Sequence, residues 1–234
     1  MPSMLRDTGR RVKRVLRFLR GQDLLQGAQV RRRTERHGSD YGGWAVVPEK
    51  LSEKSVVYAF GVGTDVSFDL SLIRRYGLTV HAFDPTPRSV AWIEGQELPE
   101  RFVFHGLGVA GYDGAATFHA PAHPDYVSYT ALSRSGADVA AVEAPVRRLG
   151  TLMGELGHTH IDLLKMDIEG SEYEVIEDLL RERLDVRQLL VEFHHRFEAV
   201  DVRQTKEAIA ALGQSGYRIF HVSPSGEEYA FIRT

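Results

Sequence analysis

Cysteine is absent from all 234 residues. That excludes a disulfide framework, a thiolate nucleophile and any Cys-ligated metal, and it fits a reducing compartment. Long apolar runs are also lacking. No stretch approaches the roughly 20 residues needed to span a bilayer. The apolar block near the N-terminus is broken by arginines, so it does not read as a secretory signal. Charge of one sign is scarce in each part of the chain. Residues 1–36 hold eleven Lys/Arg and three Asp/Glu, whereas the rest holds 18 basic and 29 acidic residues, within a net charge of -3. A basic front can meet phosphates, anionic lipid or an acidic neighbouring copy, so self-association is left open.

What is present is ordinary for a globular chain, with 43% apolar and 26% charged residues. The length suits one α/β domain, 37–234, preceded by a basic helical extension, 1–36. In that extension the spacing of Val12, Val15, Leu16 and Leu19 predicts a helix over residues 4–20. It reads either as a helix packed on the domain or a partner copy with its arginines solvated, or as a peripheral membrane contact. A cytoplasmic location is expected, with membrane association open, and no specific nucleic acid is expected as partner.

From residue 55 onward, strand and helix patterns alternate five times. Strands are expected at 55–60, 78–83, 101–105, 161–166 and 187–193, with helices at 65–76, 86–96, 171–181 and 202–215. A closing hairpin pairs 217–222 with 229–232. This predicts a mostly parallel sheet covered on both faces, with one antiparallel strand added at the end. Residues 111–147 read as an irregular stretch with two short β-like runs. That stretch is expected to cover the pocket for a second substrate, with hydroxyls from Tyr126, Ser128 and Tyr129 facing a polyol.

Five segments carry chemistry. Phe60-Gly61-Val62-Gly63-Thr64-Asp65 follows the first strand, where glycines let backbone approach a ligand closely. Val66 stands where a dinucleotide fingerprint has its third glycine, which speaks against a pyrophosphate clamp and hence against a nucleotide-dependent oxidoreductase. Asp84, 21 residues after Gly63, can accept hydrogen bonds from a ribose diol. Leu107 and Gly108 lie at the third strand end, where an adenine ring can rest. Asp113 is either an adenine contact or an ordinary Asp-Gly turn.

The fourth segment runs from Leu163 to Glu172. Ser171 and Glu174 are expected to form a capping box for the next helix, which leaves Asp167 and Glu169 without a structural task. An Asp buried at a strand end is expensive unless paired or liganded, which marks Asp167 as functional. In the fifth segment, Glu192 and His194 share one strand face while Val191, Phe193 and His195 share the other. His194 or His195 is a candidate base for a hydroxyl proton. Alternatively Asp167, Glu192 and His194 could hold a divalent cation.

The segments "LLKMDIEGSEYEVIEDLL", "YAFGVGTDVSFDLSLI", "VHAFDPTPRS" and "LLVEFHHRF" together resemble the FkbM family of S-adenosylmethionine-dependent methyltransferases. The likeness spans roughly Tyr41 to Phe231 and leaves residues 1–36 outside. It implies the seven-stranded Rossmann-like sheet of class I methyltransferases. It also implies that Gly61, Gly63 and Asp65 approach the amino-acid end of S-adenosyl-L-methionine, and that Asp84 holds its ribose. The implied reaction is methylation of a hydroxyl on a saccharide, glycolipid or natural product, with Glu169 and Glu192 near the acceptor. It leaves open which residue is the base and whether a cation is needed. A non-catalytic member acting through its basic N-terminus is the further alternative.

Overall fold

The computed structural model describes residues 2–119, 141–197 and 199–234, with side chains from residue 8 onward. In chain order the elements are α1 (Pro2–Leu19), β1 (Glu35–His37), β2 (Trp44–Val46), β3 (Val56–Phe60), α2 (Ser67–Tyr76), β4 (Thr79–Phe83), α3 (Pro87–Glu94), β5 (Phe102–His105), β6 (Gly108–Val109), β7 (Gly114–His119), β8 (Ala141–Arg147), α4 (Leu149–Glu155), β9 (Ile161–Met166), α5 (Glu172–Arg181), β10 (Val186–Glu192), α6 (Val202–Gln214), β11 (Tyr217–Val222) and β12 (Glu228–Arg233).

The main sheet has seven strands in the order β5-β4-β3-β9-β10-β12-β11. Only β12 runs antiparallel to its neighbours, β10 and β11. The α/β class, the seven strands and the antiparallel strand in the closing hairpin are therefore as the sequence pattern predicts. Strand order reverses between β3 and β9, which pair in parallel. That opens a crevice at their carboxyl ends, the place where open α/β sheets bind ligands.

Alternation along the strands builds two cores. Tyr58 and Phe60 of β3 point to the side covered by α4, α5 and α6, with Leu149, Leu152, Val175, Leu179 and Leu212. Val57 and Ala59 point to the side covered by α2, α3 and β2, with Trp44, Phe68, Leu72 and Ile93. The central strand β9 is buried at all six positions, Asp162 and Lys165 included.

Two local expectations need correcting, at α5 and at α1. No capping box forms at α5. Ser171 makes no side-chain cap, and the Glu174 carboxyl accepts from the Gly111 backbone instead. The cause lies just upstream, where Glu169 (φ 53°) and Gly170 (φ 107°) take left-handed conformations. That turn lets Glu172 accept from Gly170 N at 3.1 Å. The two β-like runs expected within 111–147 are present as Gly114–His119 and Ala141–Arg147, paired as an antiparallel ladder, with Gly108–Val109 on the far side of β8. Tyr126, Ser128 and Tyr129, expected to face the acceptor, lie outside the described residues.

The second correction is α1, which does not pack on the domain by its apolar face. Val12, Val15, Leu16 and Leu19 all face solvent. The basic side faces the body, where Arg14 donates to Leu24 O (2.8 Å), Gln26 O (3.0 Å) and the Tyr229 hydroxyl (3.4 Å). The following segment docks by backbone bonds from Gln29 and Val30 to Ile219 O. No helix among the described residues is long and apolar enough to cross a membrane.

Candidate active site

The turn after β3 is built around Gly61. Its φ is +72°, and a Cβ there would lie 1.7 Å from Asp167 O. Only glycine allows the ends of β3 and β9 to approach this closely. Gly61 N donates to Phe83 O (3.0 Å), and Lys165 Nζ donates to Gly61 O (3.0 Å), so both neighbouring strands pin the turn. Gly63 also has a positive φ, +55°, yet a Cβ there would meet nothing within 4 Å. The two glycines thus do different things: Gly61 closes the backbone onto β9, and Gly63 leaves room above the turn.

Two carboxylates frame that turn, and both are well supplied with donors. Asp84 Oδ2 accepts from Gly63 N (3.0 Å), while Oδ1 accepts from Thr86 N (2.9 Å) and the Thr86 hydroxyl (2.6 Å). With about two lone pairs per oxygen, Oδ2 keeps one site for a ligand hydroxyl and Oδ1 keeps none. Asp84 therefore starts the turn into α3 and also faces the ligand space. Asp65 accepts from the Ser39 hydroxyl (2.6 Å) and Ser67 N (2.9 Å). Burial alone would raise its pKa, but these bonds outweigh it and hold the carboxyl below its ordinary value.

Across the crevice the supply reverses. Glu172 is fully buried, and its Oε1 accepts from His194 Nδ1 at 2.5 Å. This bond fixes the imidazole and aims Nε2 at Asp167 Oδ1 (3.7 Å) and Glu169 Oε2 (3.5 Å). One ligand atom from each of Asp167, Glu192 and His194 lies within 4.8 Å of the others, the spacing of a cation site. Burial disfavours charge on His194. Even so, the charge and hydrogen bond of Glu172, with Asp167 and Glu169 behind them, raise its pKa well above the ordinary value. Burial and the nearby Asp167 push the Glu192 carboxyl well above the usual carboxylate range. Four carboxyls around one imidazole leave a surplus of negative charge.

Phe60, Gly61, Val62, Gly63, Asp65, Asp84, Gly108, Asp167, Glu169, Glu192 and His194 all line one cavity of about 410 Å³. Three candidates fall outside it. Leu107 packs against the core beside β5. Asp113 accepts from Arg148 N (2.8 Å) and the Thr151 hydroxyl (2.9 Å), so it ties the β7 turn to the start of α4. His195 lies in the turn beyond β10 and faces away from the crevice. Its side chain is buried with Nε2 3.3 Å from Asp23, so it is not placed to act as a base in this crevice.

Four lining or supporting residues escape a motif reading. Trp44 and Tyr41 come from the β1–β2 region and line the cavity. Lys165 lies 5.9 Å from the Trp44 ring centre. Asp69 sits on the first turn of α2 in the same cavity. Burial raises its carboxyl to about 6, against the opposing charge of Lys165, and its Oδ1 has no hydrogen-bond partner among the described residues. The one available signal was a lysine near the end of the mostly apolar strand pattern Ile161–Met166.

Residues 55–219 match the family described as Methyltransferase FkbM domain. Among curated proteins, "Probable methyltransferase-like protein 24" of Homo sapiens is 28% identical over 176 residues, 70% of this chain and 42% of that protein. Its Rattus norvegicus counterpart is 27% identical over the same span. The chain thus spans less than half the length of these relatives. A solved structure, methyltransferase FkbM from Methylobacillus flagellatus KT, aligns with a TM-score of 0.47 and 14% identity, covering 78% of this chain and 44% of that one. With more than two thirds of its length inside the matched domain, the chain belongs to the FkbM methyltransferase domain family.

Proposed function

We propose that this protein is an S-adenosylmethionine-dependent O-methyltransferase acting on a hydroxyl of a saccharide, glycolipid or natural-product acceptor. The observation that carries this reading is one cavity holding a nucleoside-sized glycine turn at one end and the Asp167–Glu192–His194 cluster at the other. The residues fit the methyl donor. Gly63 leaves open space, Asp84 Oδ2 retains one acceptor site for a ribose hydroxyl, and the unpartnered Asp69 Oδ1 suits the ammonium of an amino-acid tail. When bound, the sulfonium supplies a methyl group open to in-line displacement, and the sulfur keeps the electron pair of the broken bond.

The chain's own contribution is alignment and charge. Holding the acceptor oxygen in line supplies up to ~7–11 kcal/mol in ideal cases. Asp167, Glu192 and His194 would hold a divalent cation that polarises that oxygen. Glu172 favours this use of His194: a ligating imidazole donates its other N–H to a buried carboxylate, as Nδ1 does here. The acceptor's proton then passes to a carboxylate of the same cluster. A second reading rests on the same hydrogen bond, with the Glu172–His194 pair acting directly as base and no cation.

Calorimetric titration of the full chain with S-adenosylmethionine and with NAD tests the donor. Binding of S-adenosylmethionine alone is expected, and selective binding of NAD would overturn the reading. Chelation followed by Mg²⁺ or Mn²⁺ repletion separates the two roles of His194. Transfer that needs repletion supports the cation, and transfer indifferent to chelator supports the direct base.

A further inference from the structure

We infer that the acceptor carries an anionic group, a phosphate, sulfate or carboxylate, bound by Arg10, Lys13 and Arg17 of α1. This rests on the methyl-transfer reading and deepens it by naming the substrate class.

A second cavity, of about 1150 Å³, lies between α1 and the carboxyl edge of the sheet. It adjoins the first, and Tyr41, Trp44, Glu192, Glu227 and Glu228 line both. Its helix side is basic throughout, presenting Arg10, Arg11, Lys13 and Arg17, whereas the sheet side is mixed, with Arg36, Arg196, Glu192 and Glu228. Glu227 is already neutralised by an ion pair with Arg196.

The orientation of α1 gives these cations a purpose. Its apolar stripe faces solvent, so burial of apolar surface does not hold the helix in place. Arg14 ties it down, with a side chain only 12% exposed that lies 3.9 Å from Asp23. Among the described residues Arg10, Arg11, Lys13 and Arg17 make no ion pair, although the body beyond them is acidic. Cations gathered on one wall of a concave site raise the local concentration of anions and suit phosphate oxygens. An acceptor with an anionic group at one end would bind with that group on α1. Its hydroxyls would then lie toward Glu192, which accepts hydrogen bonds or shares the cation.

The test uses the full 234-residue chain with chelator present, so that phosphate cannot be held by a cation at Asp167 and Glu192. Two probes carry the same chemistry from different sources: glucose 1-phosphate in solution, and phosphatidylglycerol–phosphatidylcholine vesicles. Methyl glucoside and pure phosphatidylcholine are the neutral controls. Binding to at least one anionic probe is expected, weakening with salt and at least tenfold weaker in R10E/K13E/R17E. Glucose 1-phosphate binding assigns a free anionic acceptor, and vesicle binding alone assigns a lipid-borne headgroup. The milder variant Arg17→Gln, expected to lose about threefold, gives the same answer should the triple variant not fold. Anionic probes binding no better than neutral ones, or unchanged binding in both variants, overturns the inference. S-adenosylmethionine affinity is measured in parallel and is expected to stay within twofold. Loss of donor binding in the wild-type chain would sink the methyl-transfer reading and leave the anion result standing.

Discussion

The two ends of the crevice at the β3 and β9 carboxyl ends answer the same problem, acidic groups at strand ends, in opposite ways. Around Gly61 and Gly63 the acids are satisfied by the protein. Asp65 and Asp84 each receive two or more hydrogen bonds, and Asp65 is held below its ordinary pKa. Around His194 the acids crowd one another, and Glu192 is driven upward by burial and by Asp167. An end that is complete in itself binds by shape and backbone approach. An end with surplus negative charge is completed by something positive brought in. On the proposed reading, one crevice divides into a preformed seat for the donor's nucleoside and an electrostatically unfinished centre for the reaction.

The largest effect is expected from Gly61→Ala. A Cβ 1.7 Å from Asp167 O forces the two strand ends apart. Donor binding should be lost, with destabilisation on the order of 4 kcal/mol. Gly63→Ala meets open space and carries only the ~1–2 kcal/mol of a left-handed alanine. Thermal melts with and without S-adenosylmethionine separate the two, and equal losses would break the distinction between closing and clearing glycines.

Next comes Asp167→Asn, which removes charge from the unfinished end only. Turnover should fall by ~10²–10⁴-fold with donor affinity within a few-fold of wild type. A parallel collapse of donor binding would show that the two ends are not separable. Asp84→Asn is the mirror test. It should weaken donor binding by about tenfold, the worth of one charged hydrogen bond, with little change in the rate at saturating donor. The smallest effect on chemistry is expected from His195→Gln. It lies against Asp23 and away from the crevice, so turnover per folded molecule should be unchanged while stability falls by ~1–3 kcal/mol. A loss of turnover with normal stability would return His195 to the list of bases.

How far the site was legible can be followed residue by residue. Gly61, Asp84, Asp167, Glu192 and His194 each stood at the end of a readable strand, so the sheet delivered them to one crevice. Alternation separated His194 from His195 without saying which one faced the ligand. Leu107 and Asp113 do not line the cavity, because a strand end tells nothing of the side-chain direction in the turn that follows. Ser171 and Glu174 matched a capping pattern, but the left-handed Glu169–Gly170 turn set another entry angle for α5. Glu172 and Asp69 carry no motif of their own. Their roles exist only because the fold buries them beside His194 and Lys165.

The sequence by itself determined the α/β class, the strand and helix order, the closing hairpin and the acids and imidazoles at the strand ends. These are written in local periodicity, which needs only neighbours along the chain. Tertiary structure alone decided which face of α1 turns inward, that Glu172 holds His194, and that the acids satisfied at Gly63 become a surplus at Glu192. Those outcomes depend on burial and on polar and charged groups brought together across 22 to 215 residues of chain, as with Glu172 beside His194 and Arg14 beside Tyr229. Desolvation and Coulomb interaction follow distance in space rather than distance in sequence.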